Sequence, residues 1–447
     1  MATDYDAIFK AYDIRGTVGD QIDADGARAI GGAFARFVAS SGAEAVLVGR
    51  DMRPEGEEFA AAFGDGVMGH GIDVVDVGLC ATDMLYYASG SLGLPGAVFT
   101  ASHNPAGYNG IKMCGAGATP IGADTGLGPI KAMAISGPEP AAAKGTRTSR
   151  DLLDDYVAHV CSFVDVDALA PLLVVADTAN GMGGLVVPAV FDGLPFTLDL
   201  LYPELDGTFP NHPADPLQPE NLRDLQDRVL AVDANVGMAF DGDADRMFLV
   251  DENARPVSGS LTTAIIARAI LERDPGATII HNLICSRTVP EVIAEGGGTA
   301  VRTRVGHTII KQAMAETGAV FGGEHSGHYY FRDNYRADSG LIAALMVLES
   351  LSRHPAGLSD LVSDLDRYAA SGELNTKVAD AAAVIERVAA SFPDARQDRL
   401  DGLTVDLGDW WFNLRPSNTE PLLRLNLEAP TPDEVEERVA EVQAHIA

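Results

Sequence analysis

The chain of 447 residues is 47% apolar and carries a formal net charge of −32, which predicts two to four domains with several cores. The negative charge argues against nucleic acid and anionic membranes as partners, because both favour clustered lysine and arginine. No apolar run reaches membrane-spanning length, the first residues lack a signal-peptide pattern, and the four cysteines form no CxxC pair. We therefore expect a cytoplasmic protein with reduced thiols.

A strand-like run, a polar turn, a helical stretch and a second strand-like run recur three times along the chain. The first runs are expected as strands at 45–50, 172–176 and 278–281, and the second at 72–77, 196–201 and 299–303. Repeated units of this kind predict three similar α/β domains. Two further strand-like runs and a closing amphipathic helix at 432–446 predict a smaller α+β domain at the C-terminus.

Polar stretches rich in glycine and proline suggest where these domains meet. Residues 136–150 are typical of a linker, residues 251–260 form a polar turn after a strand, and residues 369–373 end a helical stretch. We therefore predict α/β domains I, II and III at 1–145, 146–252 and 253–368, followed by α+β domain IV at 369–447.

Domain I contains a loop that can hold a serine exposed and fixed. Residues 100–112, Thr-Ala-Ser-His-Asn-Pro-Ala-Gly-Tyr-Asn-Gly-Ile-Lys, follow a short buried strand. As a nucleophile, Ser102 needs a base or an electrophile, and the chain has no GxSxG elbow of the hydrolase type. The alternative is a turn in which serine and asparagine bond their own backbone.

Three aspartates follow an expected buried strand at 236–240. Asp241, Asp243 and Asp245 alternate with small residues and precede Arg246. Side chains two residues apart project to the same side, and like charges about 5 Å apart repel by roughly 3 kcal/mol at an effective dielectric near 20. Mg²⁺ favours a few carboxylates together with a substrate phosphate. The sequence therefore predicts a metal site, with an acidic surface turn as the alternative.

Two later loops carry groups suited to a phosphorylated sugar. Residues 323–328, Gly-Glu-His-Ser-Gly-His, offer a carboxylate and a hydroxyl for neighbouring sugar hydroxyls. Residues 415–421, Arg-Pro-Ser-Asn-Thr-Glu-Pro, offer a guanidinium fork, hydroxyls and backbone N–H groups for a phosphate dianion. Each loop alone could equally be a capped polar turn.

With these four motifs in this order, the chain resembles the α-phosphohexomutases, and within them the phosphomannomutase/phosphoglucomutase group. The resemblance covers essentially the whole chain, and Ala244 stands where glycine is commoner. It implies four domains around a central active-site cleft. It also implies interconversion of hexose 6-phosphate and hexose 1-phosphate, mostly of mannose and also of glucose, through phosphoserine and a hexose 1,6-bisphosphate.

The resemblance also implies roles for individual residues. Ser102 would be the phosphorylated nucleophile and, with Asp241, Asp243 and Asp245, a ligand of Mg²⁺. The other expected catalytic residues are Arg15, Lys112 and His307, and the expected substrate-binding residues are Arg246, Arg287, Glu324, Ser326, His328, Arg415, Ser417, Asn418 and Thr419. The partner would be a small-molecule phosphosugar, with no nucleic acid or membrane, and the protein a monomer or homodimer.

One position departs from the family pattern. Ile284 stands where family members often carry a lysine in the third domain, and Arg287 is expected to take over part of that role. Three alternatives to the mutase remain. They are a phosphoglucosamine mutase of the same family, a metal-dependent sugar phosphatase that uses the same serine and aspartates, and an inactive sugar-phosphate-binding protein.

Overall fold

The computed structural model describes residues 3–137, 139–354, 356–416 and 422–446. The chain folds into two compact units. Unit one comprises Met1–Ser258 and Ser326–Ser359, and unit two comprises Gly259–His325 and Asp360–Ala447. Within the described part of the chain, no helix is both long and apolar enough to cross a bilayer. The four cysteines, Cys80, Cys114, Cys161 and Cys285, are free thiols in this structure.

The strand Ala45–Arg50 lies inside the first sheet of unit one, between two parallel neighbours. Its apolar run is buried because helices cover the faces of parallel sheets. In spatial order the sheet runs Ile14–Thr17, Tyr108–Gly115, Gly96–Phe99, Ala45–Arg50, Asp73–Leu79 and Arg147–Ser149, with Thr119–Pro120 paired to Tyr108–Gly115. The strand Tyr108–Gly115 is antiparallel to both of its neighbours. Part of the stretch predicted as a linker thus forms an edge strand, Arg147–Ser149, parallel to Asp73–Leu79.

Helices pack on this sheet through an aromatic core that continues to the serine loop. Phe63 contacts Phe34 and Phe99, with ring centroids 5.8 and 5.5 Å apart. Because Phe99 ends the strand Gly96–Phe99, this core fixes the point from which the serine loop departs. The helices of this part are Tyr5–Ile8, Ala24–Ala39, Gly56–Gly69, Thr82–Leu92 and Gly128–Ser136, with short helical turns at Ala116–Ala118 and Ala123–Leu127.

The second sheet of unit one contains an antiparallel hairpin, Val236–Phe240 with Met247–Asp251, in which every residue is buried. The spatial order is Pro256–Val257, Met247–Asp251, Val236–Phe240, Leu173–Asp177 and Thr197–Leu201. Its helices are Leu153–Cys161, Gly183–Phe191 and Arg223–Val232, with turns at Val166–Ala168 and Pro219–Leu222. The strand Tyr329–Phe331 and the helix Gly340–Ser352 complete this unit.

Unit two holds two further groups of strands. The strands Thr299–Thr303, Thr278–Asn282 and Phe321–Gly323 are parallel neighbours, accompanied by the helices Gly259–Arg273, Thr288–Glu295 and His307–Thr317. An antiparallel sheet runs Ala369–Lys377, Leu422–Ala429, Trp411–Pro416, Leu403–Asp406 and Arg396–Asp398, with the helices Ala381–Ser391 and Pro432–Ile446. The helix Leu358–Ser363 precedes it.

The predicted fold class, three α/β domains and a smaller α+β domain, is confirmed. The strands predicted at 45–50 and 299–303 and the helix predicted at 432–446 have the expected bounds. The predicted bounds of the four domains stay predictions. One local expectation is wrong, because the stretch at 369–373 begins the strand Ala369–Lys377.

Candidate active site

The serine loop, residues 100–108, holds Ser102 in an uncommon backbone conformation. Its φ is +48°, in the left-handed region that non-glycine residues rarely adopt. The Ser102 N–H donates to Thr100 Oγ1 at 2.9 Å, and the Ser102 hydroxyl donates to Asp241 Oδ2 at 2.7 Å. His103 Nδ1 lies 3.3 Å from Ser102 Oγ. The predicted nucleophile is therefore in direct contact with the first predicted metal ligand.

The metal loop, residues 241–246, is the turn of the buried hairpin. Asp241, Asp243 and Asp245 are at most 1% exposed, and one ligand oxygen from each lies within 4.8 Å of the others. Asp243 Oδ1 and Asp245 Oδ1 are buried and accept no hydrogen bond from the described residues. Unpartnered buried carboxylate oxygens are costly, and hard oxygen donors of this kind suit a divalent cation such as Mg²⁺. The donor set therefore fits the predicted metal.

Two basic side chains partly balance the three carboxylates. Lys112 Nζ lies 2.7 Å from Asp243 Oδ2 and 2.5 Å from Asp245 Oδ2, and Arg246 Nε donates to Asp241 Oδ2 at 2.7 Å. Burial favours a raised pKa for Asp243, but the Lys112 ammonium outweighs it and the pKa lies below its usual range. Burial and the Asp243 charge raise the pKa of Asp245 to about 7. The three carboxylates of the metal loop therefore outnumber the two basic side chains that pair with them.

A helix of domain I anchors the middle aspartate. Thr82 begins the helix Thr82–Leu92 and donates its hydroxyl to Asp243 Oδ2 at 2.5 Å, while its N–H donates to the Asp243 carbonyl at 3.1 Å. With Thr82 and Lys112 both on Oδ2, Asp243 Oδ1 is the oxygen left for a cation.

Arg15 lies against the serine loop from the other side. Its Nε donates to Asp13 at 2.7 Å, and its Nη1 donates to Asn104 Oδ1 at 2.6 Å and to the Ala101 carbonyl at 3.2 Å. The ion pair with Asp13 fixes the guanidinium plane, because Arg presents its donors in a rigid fork. Arg15 thus lies against the serine loop through Ala101 and Asn104, and its catalytic role stays a prediction.

His328 lies beside the metal loop. Its Nδ1 lies 2.9 Å from Asp338 Oδ2 and 3.9 Å from Asp245 Oδ1. Burial favours a lowered pKa for His328, but the Asp245 and Asp338 carboxylates outweigh it and raise the pKa above its usual value. The structure therefore places this predicted substrate-binding residue beside a metal-loop carboxylate.

In unit two, Glu324 follows the strand Phe321–Gly323 at the edge where parallel strands end. Its Oε1 accepts from Asn282 Nδ2 and from the Gly306 N–H, both at 3.2 Å. His307, the next residue, begins the helix His307–Thr317. The structure therefore brings Glu324 close to the loop that carries His307. Ser326 belongs to unit one, so the division between the units falls within the predicted sugar-recognition loop.

The other predicted residues of unit two are held by ion pairs. Arg287 Nη2 lies 2.6 Å from Asp406 Oδ1, and its Nη1 also donates to the Gly408 carbonyl. Arg415 Nη2 donates to Glu373 Oε2 at 2.9 Å. The substrate roles of both arginines stay predictions, and Arg287 is engaged by the last sheet. Ser417, Asn418 and Thr419 lie outside the described residues.

Comparison with known proteins decides the family. Four models described as phosphoglucomutase/phosphomannomutase match: alpha/beta/alpha domain I at 6–131, domain II at 154–255, domain III at 258–368 and the C-terminal domain at 373–445. A phosphomannomutase of Salmonella montevideo is 40% identical over 433 residues, covering 94% of both chains. The chain belongs to the phosphoglucomutase/phosphomannomutase family. Membership makes it a phosphotransferase of the mutase type that acts on small sugar phosphates.

Other relatives extend this result within the family. The phosphohexose mutases of Xanthomonas campestris pv. campestris are 40% identical over 428 residues and 94% of both chains. A crystal structure of a phosphoglucomutase/phosphomannomutase family protein from Burkholderia thailandensis superposes with a TM-score of 0.90 at 34% identity. It covers all of this chain and 98% of that one.

The structure adds residues that sequence reasoning on the family motifs did not assign. His103 and Asn104 lie within the serine motif itself. His103 contacts Ser102 and Asn104 contacts Arg15, so their place next to Ser102 in the sequence was the signal that could have identified them. Thr82 lies 161 residues from its partner Asp243, outside every motif. For Thr82 the sequence gives no local signal, because its role depends on the docking of two domains.

Proposed function

We propose that the protein interconverts the 6-phosphate and 1-phosphate of a hexose, with mannose as the main substrate and glucose as a second. The reaction would pass through phosphoserine at Ser102 and a hexose 1,6-bisphosphate. The observation that carries the proposal is the 2.7 Å hydrogen bond from Ser102 Oγ to Asp241. It sets the nucleophile beside carboxylates that keep two unpartnered oxygens.

The two half-reactions are mirror images. A free sugar hydroxyl oxygen attacks the phosphorus of the phosphoserine, the P–O bond to Ser102 breaks, and a new P–O bond to the sugar forms. The hydroxyl proton passes to a base and the departing Ser102 oxygen takes up a proton, and Lys112 and His307 are the candidates for these proton transfers. After the bisphosphate reorients, Ser102 Oγ accepts the other phosphoryl group and the phosphoserine is restored.

The protein groups around Ser102 position the transferring phosphoryl group. Asp241, Asp243 and Asp245, together with the Ser102 phosphate, would hold Mg²⁺, which would supply positive charge where negative charge is transferred. Arg246, fixed by Asp241, and Arg15, fixed by Asp13, orient the phosphoryl oxygens. Their ion pairs hold each guanidinium in place before substrate arrives, which lowers the cost of ordering them.

The remaining predicted residues bind the rest of the substrate. Glu324 and Ser326 would pair with sugar hydroxyls, and His328 and Arg287 would contribute further polar contacts. The phosphate that is not reacting would be bound by Arg415, Ser417, Asn418 and Thr419. Hexose 1,6-bisphosphate would act as activator. The cytoplasmic location and the monomer or homodimer state stay predictions.

A coupled assay tests the substrate. Mannose 1-phosphate, glucose 1-phosphate and glucosamine 1-phosphate are each supplied with Mg²⁺ and catalytic hexose 1,6-bisphosphate. We expect the fastest turnover with mannose, slower turnover with glucose, and little with glucosamine. Preference for glucosamine, or release of inorganic phosphate in place of the isomer, would contradict the proposal.

Ser102→Ala tests the nucleophile. This variant should lose turnover while it still binds hexose phosphate by calorimetry, because the sugar and phosphate contacts lie elsewhere. Phosphate transferred from labelled bisphosphate should appear on the wild-type protein at Ser102 and be absent from the variant. Normal turnover by Ser102→Ala would contradict the phosphoserine mechanism.

A further inference from the structure

A buried arginine holds the serine loop by its backbone. Arg53 follows the strand Ala45–Arg50 in the Asp-Met-Arg-Pro segment at 51–54, and its side chain is 1% exposed. The guanidinium donates four hydrogen bonds to carbonyl oxygens of the serine loop. Nη2 donates to the carbonyls of Ser102 at 2.9 Å and Asn104 at 2.7 Å. Nη1 donates to the carbonyls of Pro105 at 3.0 Å and Tyr108 at 2.8 Å.

The arginine is itself held on two sides. The fully buried Asp51 accepts from the Arg53 N–H at 2.9 Å, and its other oxygen lies 3.3 Å from Arg53 Nε. The ring of Phe209, from a loop of domain II, covers the guanidinium with its centroid 5.1 Å from Cζ. A charge this deeply buried is stable only when it is paired and hydrogen-bonded. The Arg53 guanidinium is paired with Asp51 and hydrogen-bonded through its two terminal nitrogens, while its Nε makes no hydrogen bond with the described residues.

The loop has a physical need for such support. Ser102 adopts a φ of +48°, and strained conformations of this kind persist only where the surroundings determine them. Arg53 binds the Ser102 carbonyl directly, while the Ser102 hydroxyl donates to Asp241. Because Arg53 is buried beneath the loop, it cannot itself touch a substrate.

We propose that Arg53, with Asp51 as its counter-charge, is a positioning residue for phosphoryl transfer, and that it holds Ser102 Oγ in register with the metal loop. The proposal rests on the proposed function for its catalytic consequence. Lysine cannot replace this arginine, because one ammonium group cannot reach four carbonyls that are now shared by two nitrogens of a planar fork.

The first test measures the loop itself. Arg53→Lys should raise amide hydrogen exchange across residues 101–108 about tenfold, while Arg28→Lys, at a half-exposed ion pair with Asp65 in the same domain, should leave it unchanged. Asp51→Asn keeps an acceptor for the Arg53 N–H but removes the opposing charge, and should give a smaller rise at the same residues. Wild-type exchange in both Arg53→Lys and Asp51→Asn overturns the proposal.

The second test measures the catalytic consequence. Phosphorylation of Ser102 by hexose 1,6-bisphosphate and Mg²⁺ is measured by intact-mass spectrometry. Its rate should be about 100-fold lower in Arg53→Lys than in wild type, as expected for a misplaced reacting group. The KM for the bisphosphate should change by less than about threefold, because no substrate contact is lost. Equal rates in Arg53→Lys and wild type overturn the positioning role. If wild-type Ser102 accepts no phosphate, the proposed function fails, and hydrogen exchange alone decides whether Arg53 holds the loop.

Discussion

Ala244 has a backbone conformation that favours glycine, the residue that the family resemblance implies at this position in the metal loop. Its φ is +60° and it is fully buried, so an L side chain there carries a conformational cost of about 1–2 kcal/mol. Ala244→Gly relieves this strain but loses a buried methyl and gains freedom in the unfolded chain. We expect its stability to stay within about 1 kcal/mol of wild type by denaturant titration. Ala244→Val should lose at least about 2 kcal/mol, and a stable Ala244→Val would show that the loop is not strained.

Asp83 gives the fold a dependence on pH. Its fully buried carboxylate accepts hydroxyl hydrogen bonds from Tyr156 at 2.6 Å and Ser339 at 2.7 Å, and burial raises its pKa to about 7. Since the unfolded value is about 4, the folded state binds the extra proton between pH 4 and pH 7, and this group makes stability fall as pH rises through that window.

Asp83→Asn should remove that dependence. The amide oxygen can accept both hydroxyls, and no charge must be buried. In magnesium-free buffer, we expect the variant to be more stable than wild type by about 4 kcal/mol at pH 8 and nearly equal to it at pH 4. The measurement is thermal unfolding of both proteins across this range. Parallel pH profiles for the two proteins would contradict the assignment.

At the level of elements, the metal loop and the serine loop meet where a glycine leaves room. A Cβ added to Gly242 would lie 2.4 Å from the Ser102 carbonyl oxygen. Gly242→Ala should therefore push the two loops apart, with a cost of about 1–3 kcal/mol in stability and a loss of about 100-fold in kcat. Gly69→Ala is the matched control, because a Cβ there meets nothing within 4 Å. Equal activity of the two variants would argue against close packing of the loops.

The buried strand with a continuous apolar run could be predicted from sequence, and two polar strands could not. The strand Val236–Phe240 is buried throughout and has the predicted bounds. The edge strand Arg147–Ser149 is exposed throughout, and Ala369–Lys377 is largely polar and contains glycine, so neither has an apolar signature. Both are strands because a neighbouring strand supplies hydrogen-bond partners, which is a tertiary effect.

The site shows the same division. Ser102 and the three aspartates could be named because each motif concentrates reactive groups within a few residues. Arg53 binds the backbone carbonyl of Ser102, which is 49 residues away in the sequence. Thr82 binds Asp243 in another domain, 161 residues away. No local pattern reports such partners, because chain folding brings them together.

For the molecule as a whole, a divalent cation should be a stabilising ligand of the folded chain. Binding only to the folded state at about 100 times Kd contributes about 2.7 kcal/mol. We expect Mg²⁺ to raise the unfolding temperature of wild type, and EDTA to reverse the effect.

Asp245→Asn is the control for this response. Burial and Asp243 raise the Asp245 pKa to about 7, so a neutral amide should be tolerated in EDTA with little change in unfolding temperature. The variant should lose the response to Mg²⁺, because one of its three carboxylate ligands is gone. A full Mg²⁺ response in Asp245→Asn would place the cation elsewhere.

The hydrogen bond between Ser102 and Asp241 joins residues 139 positions apart. A ribosome that adds about 5–20 residues per second completes Asp241 on the order of ten seconds after Ser102. During that interval the nascent chain carries its serine with none of the acidic partners that would make it reactive. A phosphate on Ser102 would therefore mark only chains whose second domain has been synthesised and docked, so the modification would report completed assembly as well as readiness for turnover.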